Sequence, residues 1–184
     1  MRELSDRLRA LEGAVDHEAW RPVILDAERD RAALEELIAS GAVRQVRDTI
    51  QDQLEELVAI RNPSRRLTAD QARELVRAHV GDVPLERYGA WVFFPWSGAL
   101  VHLLAEAEFR ELRGNRNCNK ITRAEQAELR RRRIGVVGLS VGSAIATTLA
   151  HEGIGGTFKI ADFDHLALSN LNRLRSRYRL LRAR

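Results

Sequence analysis

Residues 134–143, IGVVGLSVGS, join a short apolar run to two glycines that lie four positions apart, Gly138 and Gly142. Glycine allows a sharp turn and a close approach of phosphate to the backbone, because no Cβ intrudes and positive φ is accessible. A helix that follows such a turn offers unpaired N–H groups and the positive end of its dipole to an anion. The spacing predicts that Gly138 makes the turn and Gly142 opens the helix. The hydroxyls of Ser140 and Ser143 would be further hydrogen-bond donors.

The glycine pattern alone does not identify the ligand. The dinucleotide pattern is G-x-G-x-x-G, whereas this chain has Ser140 at the second glycine position and its last glycine one residue early. A tight strand-to-helix turn without any ligand therefore stays open. Asp162 follows the next apolar stretch, 20 residues after Gly142, at a place where an acid can bind a ribose hydroxyl. Because NAD and ATP both contain a ribose, Asp162 does not distinguish them.

The stretch 161–175, ADFDHLALSNLNRLR, distinguishes between ATP and NAD as the expected ligand. Its D-x-D followed by S-N-L-N-R resembles the ThiF-type adenylyltransferases, bacterial relatives of the ubiquitin-activating enzymes. The resemblance implies that Asp162 binds the ATP ribose and that Asp164 shapes the adjoining loop. It also implies that Asn170 and Arg173 contact the ATP phosphates. These two residues are three apart, so one helical turn would place them on the same face, and a planar guanidinium suits phosphate oxygens.

The resemblance covers about residues 113–173 and also implies an activity. It is ATP-dependent activation of the C-terminal carboxylate of a ubiquitin-like or sulfur-carrier protein, by a homodimer that uses ATP and Mg²⁺. The segment 115–117, NRN, resembles the family's N-R-Q segment, whose arginine reaches the phosphates of the partner subunit. Arg116 is therefore a candidate catalytic residue, with an ordinary surface arginine as the alternative. A nicotinamide-dependent Rossmann oxidoreductase and a non-catalytic binding module remain as competing functions.

The family's lysine, its Mg²⁺-binding aspartate and its cysteine region lie beyond the position of Arg173. Here the stretch after Arg173, residues 174–184, holds five arginines and no lysine. We expect a chain truncated or frameshifted near Leu174 to Ser176, ending in an aberrant arginine-rich tail and inactive as it stands. A genuine basic tail is the alternative. Removing these five charges from the net +4 leaves −1, so we expect no nucleic-acid-binding face.

The predicted fold class is α/β, with a mixed α+β N-terminal region (1–112) followed by the first βαβ half of a Rossmann-like ATP-binding domain (113–173). Alternating strand, glycine turn, helix and strand are typical of a parallel sheet. Thr122 with Glu125 predicts a capping box at the start of this second region. Because two strands cannot bury both faces of a sheet, we expect an exposed apolar face that favours aggregation. Helical spacing and turn signals predict the N-terminal elements: helices near 2–12, 27–39, 48–60, 69–80 and 105–112, strands at 21–26 and within 42–46, and a hairpin across 90–104.

The N-terminal region resembles the leader of actinobacterial ThiF-type proteins that often carry a nitroreductase-like domain, and its role is unknown. We predict that its aromatic residues form the core of the hairpin rather than a ligand site, with Trp91 and Phe93 on one face and Phe94 and Trp96 nearby. No apolar run is long enough to span a membrane, and no secretory signal is present. With Cys118 as the single cysteine, no internal disulfide can form. No histidine spacing suggests a metal site, and we expect a cytoplasmic protein.

Overall fold

The computed structural model describes residue 19, residues 21–165 and residues 167–170. The fold is mixed α/β, as predicted from the sequence. The chain divides into two compact units, Met1–Leu112 and Arg113–Arg184. None of the helices among the described residues combines the length and apolar character that crossing a membrane requires.

The first unit carries a four-stranded sheet with helices packed on it. Its strands and helices are β1 Val23–Asp26, α1 Arg31–Ala39, β2 Gln45–Asp48, α2 Ile50–Arg61, α3 Ala69–Val80, β3 Ala90–Phe94, β4 Ala99–Leu103 and α4 Glu106–Gly114. The strand order is β1-β3-β4-β2, in which β1 and β4 run antiparallel to β3, and β2 runs parallel to β4. The predicted hairpin across 90–104 is thus confirmed.

Two hydrophobic clusters form the core of this unit. In the first, α2 contributes the face predicted from its spacing, and α3 packs against it; the members include Ile50, Leu54, Leu57, Val58, Val76, Val80 and Leu104. In the second, Trp91 and Phe93 share one face of β3 and pack with Leu25, Leu100 and α1. Phe94 and Trp96 are half-buried and contact each other edge to face, with ring centroids 5.3 Å apart. The prediction that the aromatic residues belong to the hairpin core is confirmed for Trp91 and Phe93.

A fully buried histidine joins the strands of the sheet. His102 stacks on Trp91 with ring centroids 4.1 Å apart, and its Nε2 lies 2.7 Å from the carbonyl oxygen of Tyr88. Since a carbonyl only accepts, Nε2 is the donor in this bond. Its Nδ1 lies 2.9 Å from the carboxylate of Asp48, at the end of β2. His102 therefore connects β4 to the edge strand β2 and to the chain before β3.

The second unit contains the predicted βαβ arrangement. Its elements are α5 Arg123–Arg130, β5 Arg133–Val137, α6 Leu139–His151 and β6 Thr157–Ala161, with short 3-10 helices at Asn115–Asn119 and Leu168–Asn170. The capping box is confirmed, because the Thr122 N–H donates to Glu125 Oε2 at 2.7 Å and the Glu125 N–H donates to Thr122 Oγ1 at 3.2 Å. β5 and β6 are parallel, from Arg133 opposite Thr157 to Val137 opposite Ala161.

The strands and the helix α6 of the second unit leave much apolar surface in solvent. Val137 is 75% exposed, Val141 72%, Ile145 53% and Ile160 60%. The prediction that IGVVG forms a buried strand is wrong, because the residues of β5 alternate between exposed and half-buried. A two-stranded parallel sheet cannot cover both of its own faces. The expectation of an exposed apolar face is confirmed among the residues described.

Candidate functional site

The predicted site lies where β5 and β6 end side by side. Val137 and Ala161 are opposite one another at the carboxyl ends of the two strands. The N–H of Gly138 donates to the carbonyl oxygen of Ala161 at 2.8 Å, which extends the pairing by one residue. Gly138 and Asp162 therefore follow the two strands at the same edge. In open α/β sheets this edge is where ligands bind.

The two glycines of the motif have different physical roles. Gly138 has φ +83°, which favours glycine, and a Cβ built on it would meet no atom within 4 Å. Its role is therefore backbone conformation. Helix α6 begins at Leu139, so the prediction that Gly142 opens the helix is wrong. Gly142 is buried within α6, and a Cβ there would lie 2.7 Å from Val136 Cγ1. It allows α6 to pack closely on β5.

The Asp162 carboxylate joins the loop after β6 to the start of α6. Its Oδ2 accepts from the Leu139 N–H at 2.5 Å, and its Oδ1 accepts from the Asp164 N–H at 2.9 Å. These bonds, that from Asp164 first and that from Leu139 second, lower the pKa of Asp162. The side chain is exposed. An ionised, accessible carboxylate therefore stands beside the glycine turn.

The two serines of the turn differ in their exposure and in their position within the motif. The Ser143 hydroxyl donates to the carbonyl oxygen of Ser140 at 3.3 Å, and Ser143 is half-buried. Its proton is thus used within the helix. Ser140 is exposed and occupies the position of the second glycine in the dinucleotide pattern, where phosphate would come closest to the backbone. Of the two, Ser140 is the better placed to contact a ligand.

The S-N-L-N-R segment is described only in its first part. Asn170 ends a 3-10 helix, in which its Oδ1 accepts from the Ala167 N–H at 2.7 Å and its N–H donates to the Ala167 carbonyl at 2.9 Å. Arg173 lies outside the described residues, so the expectation that it shares one helix face with Asn170 stays a prediction. Asp164 is exposed and holds the loop through its backbone N–H.

Arg116 lies at the opposite end of α6 from the glycine turn. The neighbouring Asn117 donates through Nδ2 to the carbonyl oxygen of Glu152 at 2.9 Å, one residue past the end of α6. A helix of 13 residues is about 20 Å long at a rise of 1.5 Å per residue. This length exceeds the reach of an arginine side chain. The structure therefore does not bring Arg116 to the turn of its own chain.

Sequence reasoning missed Gln126, which connects α5 to Asn117 and to the chain just after α6. Gln126 is 8% exposed, and its Nε2 donates to the carbonyl oxygens of Glu152 at 3.2 Å and Gly153 at 3.1 Å. Its Oε1 accepts from Asn117 Nδ2 at 2.8 Å. A glutamine within a charged helix usually indicates a solvent-facing position, so its pattern gave no signal of burial.

Comparisons with known proteins agree with the motif. Residues 113–176 match the model of the ThiF family. Over 90 residues, the chain is 50% identical to an uncharacterized protein of Mycobacterium tuberculosis (strain CDC 1551 / Oshkosh). That stretch is 49% of this chain but 13% of the relative, so the match spans a small part of the relative's length. No solved structure matches the chain.

Proposed function

Because residues 113–176 are a ThiF-family segment, we propose that the second unit is the nucleotide-binding part of an ATP-dependent adenylyltransferase. Its substrate is the C-terminal carboxylate of a ubiquitin-like or sulfur-carrier protein. The observation that carries the proposal is the placement of Asp162 against the glycine turn, at the carboxyl edge of two parallel strands. The aligned stretch is 13% of the matched relative, so the activity of a whole adenylyltransferase is part of the proposal.

The nucleotide would bind across the edge where β5 and β6 end. The phosphates would lie at the start of α6, where the first N–H groups have no carbonyl partner within the helix, near Gly138 and Ser140. The ribose would lie against Asp162. Each oxygen of that carboxylate accepts one backbone N–H, and a carboxylate oxygen has two lone-pair sites. The carboxylate can therefore accept ribose hydroxyls while it keeps its bonds to the protein.

The proposed reaction is a displacement at the α-phosphorus. A carboxylate oxygen of the carrier forms a bond to that phosphorus, the bond to the bridging oxygen breaks, and pyrophosphate leaves. Catalysis of such transfers rests on positioning and on stabilising charge at the phosphate oxygens. Asn170 and Arg173 would supply these contacts.

Mg²⁺ neutralises phosphate charge in reactions of this kind. No three His, Cys, Asp or Glu side chains come together to hold a metal within the part of the chain that is described, so no step is assigned to the metal here.

Arg116 would act on the phosphates of a partner subunit. In one chain it lies near the end of α6 that is remote from the turn, so it could reach phosphates only in a homodimer. A symmetric dimer gives two equivalent sites, each built from both chains. This arrangement accounts for an exposed arginine without a role in its own unit.

Nucleotide binding is the direct test of the proposal. A fluorescent ATP analogue would be titrated into the chain, with ATP and NADH as competitors. We expect ATP to displace the analogue at concentrations at which NADH does not. Asn170→Ala should weaken binding, whereas Asn119→Ala, an exposed asparagine of the same unit, should not. Displacement by NADH alone would favour an oxidoreductase, and the absence of any nucleotide binding would favour a binding module.

The contribution of Arg116 is tested by mixing two defective variants. Arg116→Ala and Asp162→Ala chains each lack one part of every site. If the site is shared, random exchange of subunits makes half of the dimers mixed, each with one intact site, and restores about a quarter of the wild-type sites. If Arg116 has no role in trans, mixing restores nothing.

A further inference from the structure

Helix α6 begins without a capping side chain of its own. Its N-cap residue is Gly138, which makes no side-chain hydrogen bond, and the first turn contains no acidic residue. The first N–H groups of a helix need an acceptor, usually an oxygen of a Ser, Thr, Asp or Asn side chain at the N-cap. The glycine that makes the turn possible therefore removes the usual cap.

The missing acceptor comes from the residue that follows β6. Asp162 Oδ2 accepts from the N–H of Leu139, the first residue of α6, at 2.5 Å across 23 positions of sequence. Its other oxygen is held by the Asp164 N–H at 2.9 Å. With both oxygens engaged, the carboxylate has a fixed orientation. A negative charge at this place is also favoured by the helix dipole.

We propose that Asp162 supplies the side-chain acceptor that caps the start of α6 and is thereby a positioning residue for the phosphates, in addition to its role at the ribose. This inference rests on the proposed nucleotide site. The N–H groups at the start of α6 can receive phosphate only when the turn after Gly138 is ordered, and the Asp162 carboxylate orders it. The residue should therefore matter even for a ligand that has no ribose.

Two substitutions of Asp162 distinguish the effect of the capping oxygen from the effect of the negative charge. Asp162→Asn removes the charge and one of the two acceptor oxygens. Its remaining amide oxygen can still accept from Leu139, because asparagine is a good N-cap. Asp162→Ala removes the charge and the oxygen together. The probe is inorganic tripolyphosphate, and the second readout is hydrogen exchange at the Leu139 amide. Thr148→Ala is the control, since it removes a side-chain hydrogen bond to the carbonyl oxygen of Ala144 within the same helix.

The proposal predicts that the Asn variant binds tripolyphosphate roughly fivefold more tightly than the Ala variant, the fold-change equivalent to the about 1 kcal/mol by which an N-cap stabilises its helix. The Leu139 amide should exchange several-fold faster in Asp162→Ala than in Asp162→Asn, and Thr148→Ala should leave it unchanged. Equal affinities together with equal exchange rates in the two Asp162 variants would overturn the proposal.

If the wild-type chain binds neither ATP nor tripolyphosphate, the nucleotide site itself is refuted, and with it the positioning role. The exchange rates then decide separately whether Asp162 is the cap.

Discussion

Replacing Gly142 with alanine tests whether α6 lies close to β5 because a side chain is missing. The added Cβ would lie 2.7 Å from Val136 Cγ1, whereas carbon atoms prefer separations of about 3.5–4.0 Å. Overpacking of this kind costs about 1–3 kcal/mol. Alanine recovers about 1 kcal/mol through its higher helix propensity. We therefore expect Gly142→Ala to lower the free energy of unfolding of the second unit by about 1 kcal/mol, within limits of about 0–2 kcal/mol.

The assay must report on the second unit alone. No tryptophan lies between residues 113 and 184 of the sequence, so tryptophan fluorescence does not report directly on the second unit. Native-state hydrogen exchange of the α6 amides gives a local free energy of opening instead. Measuring Gly142→Ala with and without Val136→Ala completes a double-mutant cycle. Because Val136→Ala removes the opposing methyl groups, the two changes should couple by about 1 kcal/mol.

Gly138→Ala is the matched control for this cycle. No atom lies within 4 Å of its added Cβ, but its φ is +83°, so the cost is backbone strain of about 1–3 kcal/mol. Val136→Ala should not relieve that strain. The packing argument is refuted if Gly142→Ala is more stable than the wild type, or if the cycle shows no coupling between Gly142 and Val136.

Three further changes test the contacts that hold each unit. His102→Leu leaves the carbonyl oxygen of Tyr88 without the Nε2 donor and removes the contact of Nδ1 with Asp48, whose carboxylate keeps the Ile50 N–H. It should cost about 1–3 kcal/mol, measured by urea unfolding followed through tryptophan fluorescence. Thr122→Ala removes the capping hydroxyl of α5 and should cost about 1 kcal/mol, seen as faster exchange of the α5 amides. Backbone N–H bonds lower the pKa of both Asp162 and Glu125. This stabilisation should be complete above the ordinary carboxyl pKa, near 4, and be lost as the pH falls through the lowered values. Urea unfolding followed by circular dichroism over a pH series would detect the loss, which should be smaller in Asp162→Asn.

The sequence predicted best those parts of the fold that depend on residues a few positions apart. The capping box of Thr122 and Glu125 involves residues three positions apart, and the structure contains both of its bonds. Helix α3 of the first unit likewise begins after Thr68, whose hydroxyl accepts from the N–H of Gln71. Such signals depend on residues that are close together in the sequence, so they hold independently of how distant parts of the chain pack.

The parts that sequence did not predict depend on contacts between distant positions. Nothing in the pattern around Gln126 indicates that its amide lies buried against the end of α6. The strand IGVVG has the composition of a buried strand, but burial depends on what packs against it, which no local pattern contains. The remote position of Arg116 follows from the hydrogen bond between Asn117 and Glu152, which are 35 residues apart.

The departure of the glycine turn from the dinucleotide pattern has a physical interpretation. The last glycine of that pattern serves the packing of helix on strand, and the second serves the approach of phosphate. Here the packing role falls to Gly142, one residue early, because α6 begins directly at Leu139 and places Gly142 against Val136. The phosphate position is held by the exposed Ser140. The early glycine thus changes how α6 packs on β5 and leaves the side of the turn that faces the proposed nucleotide open.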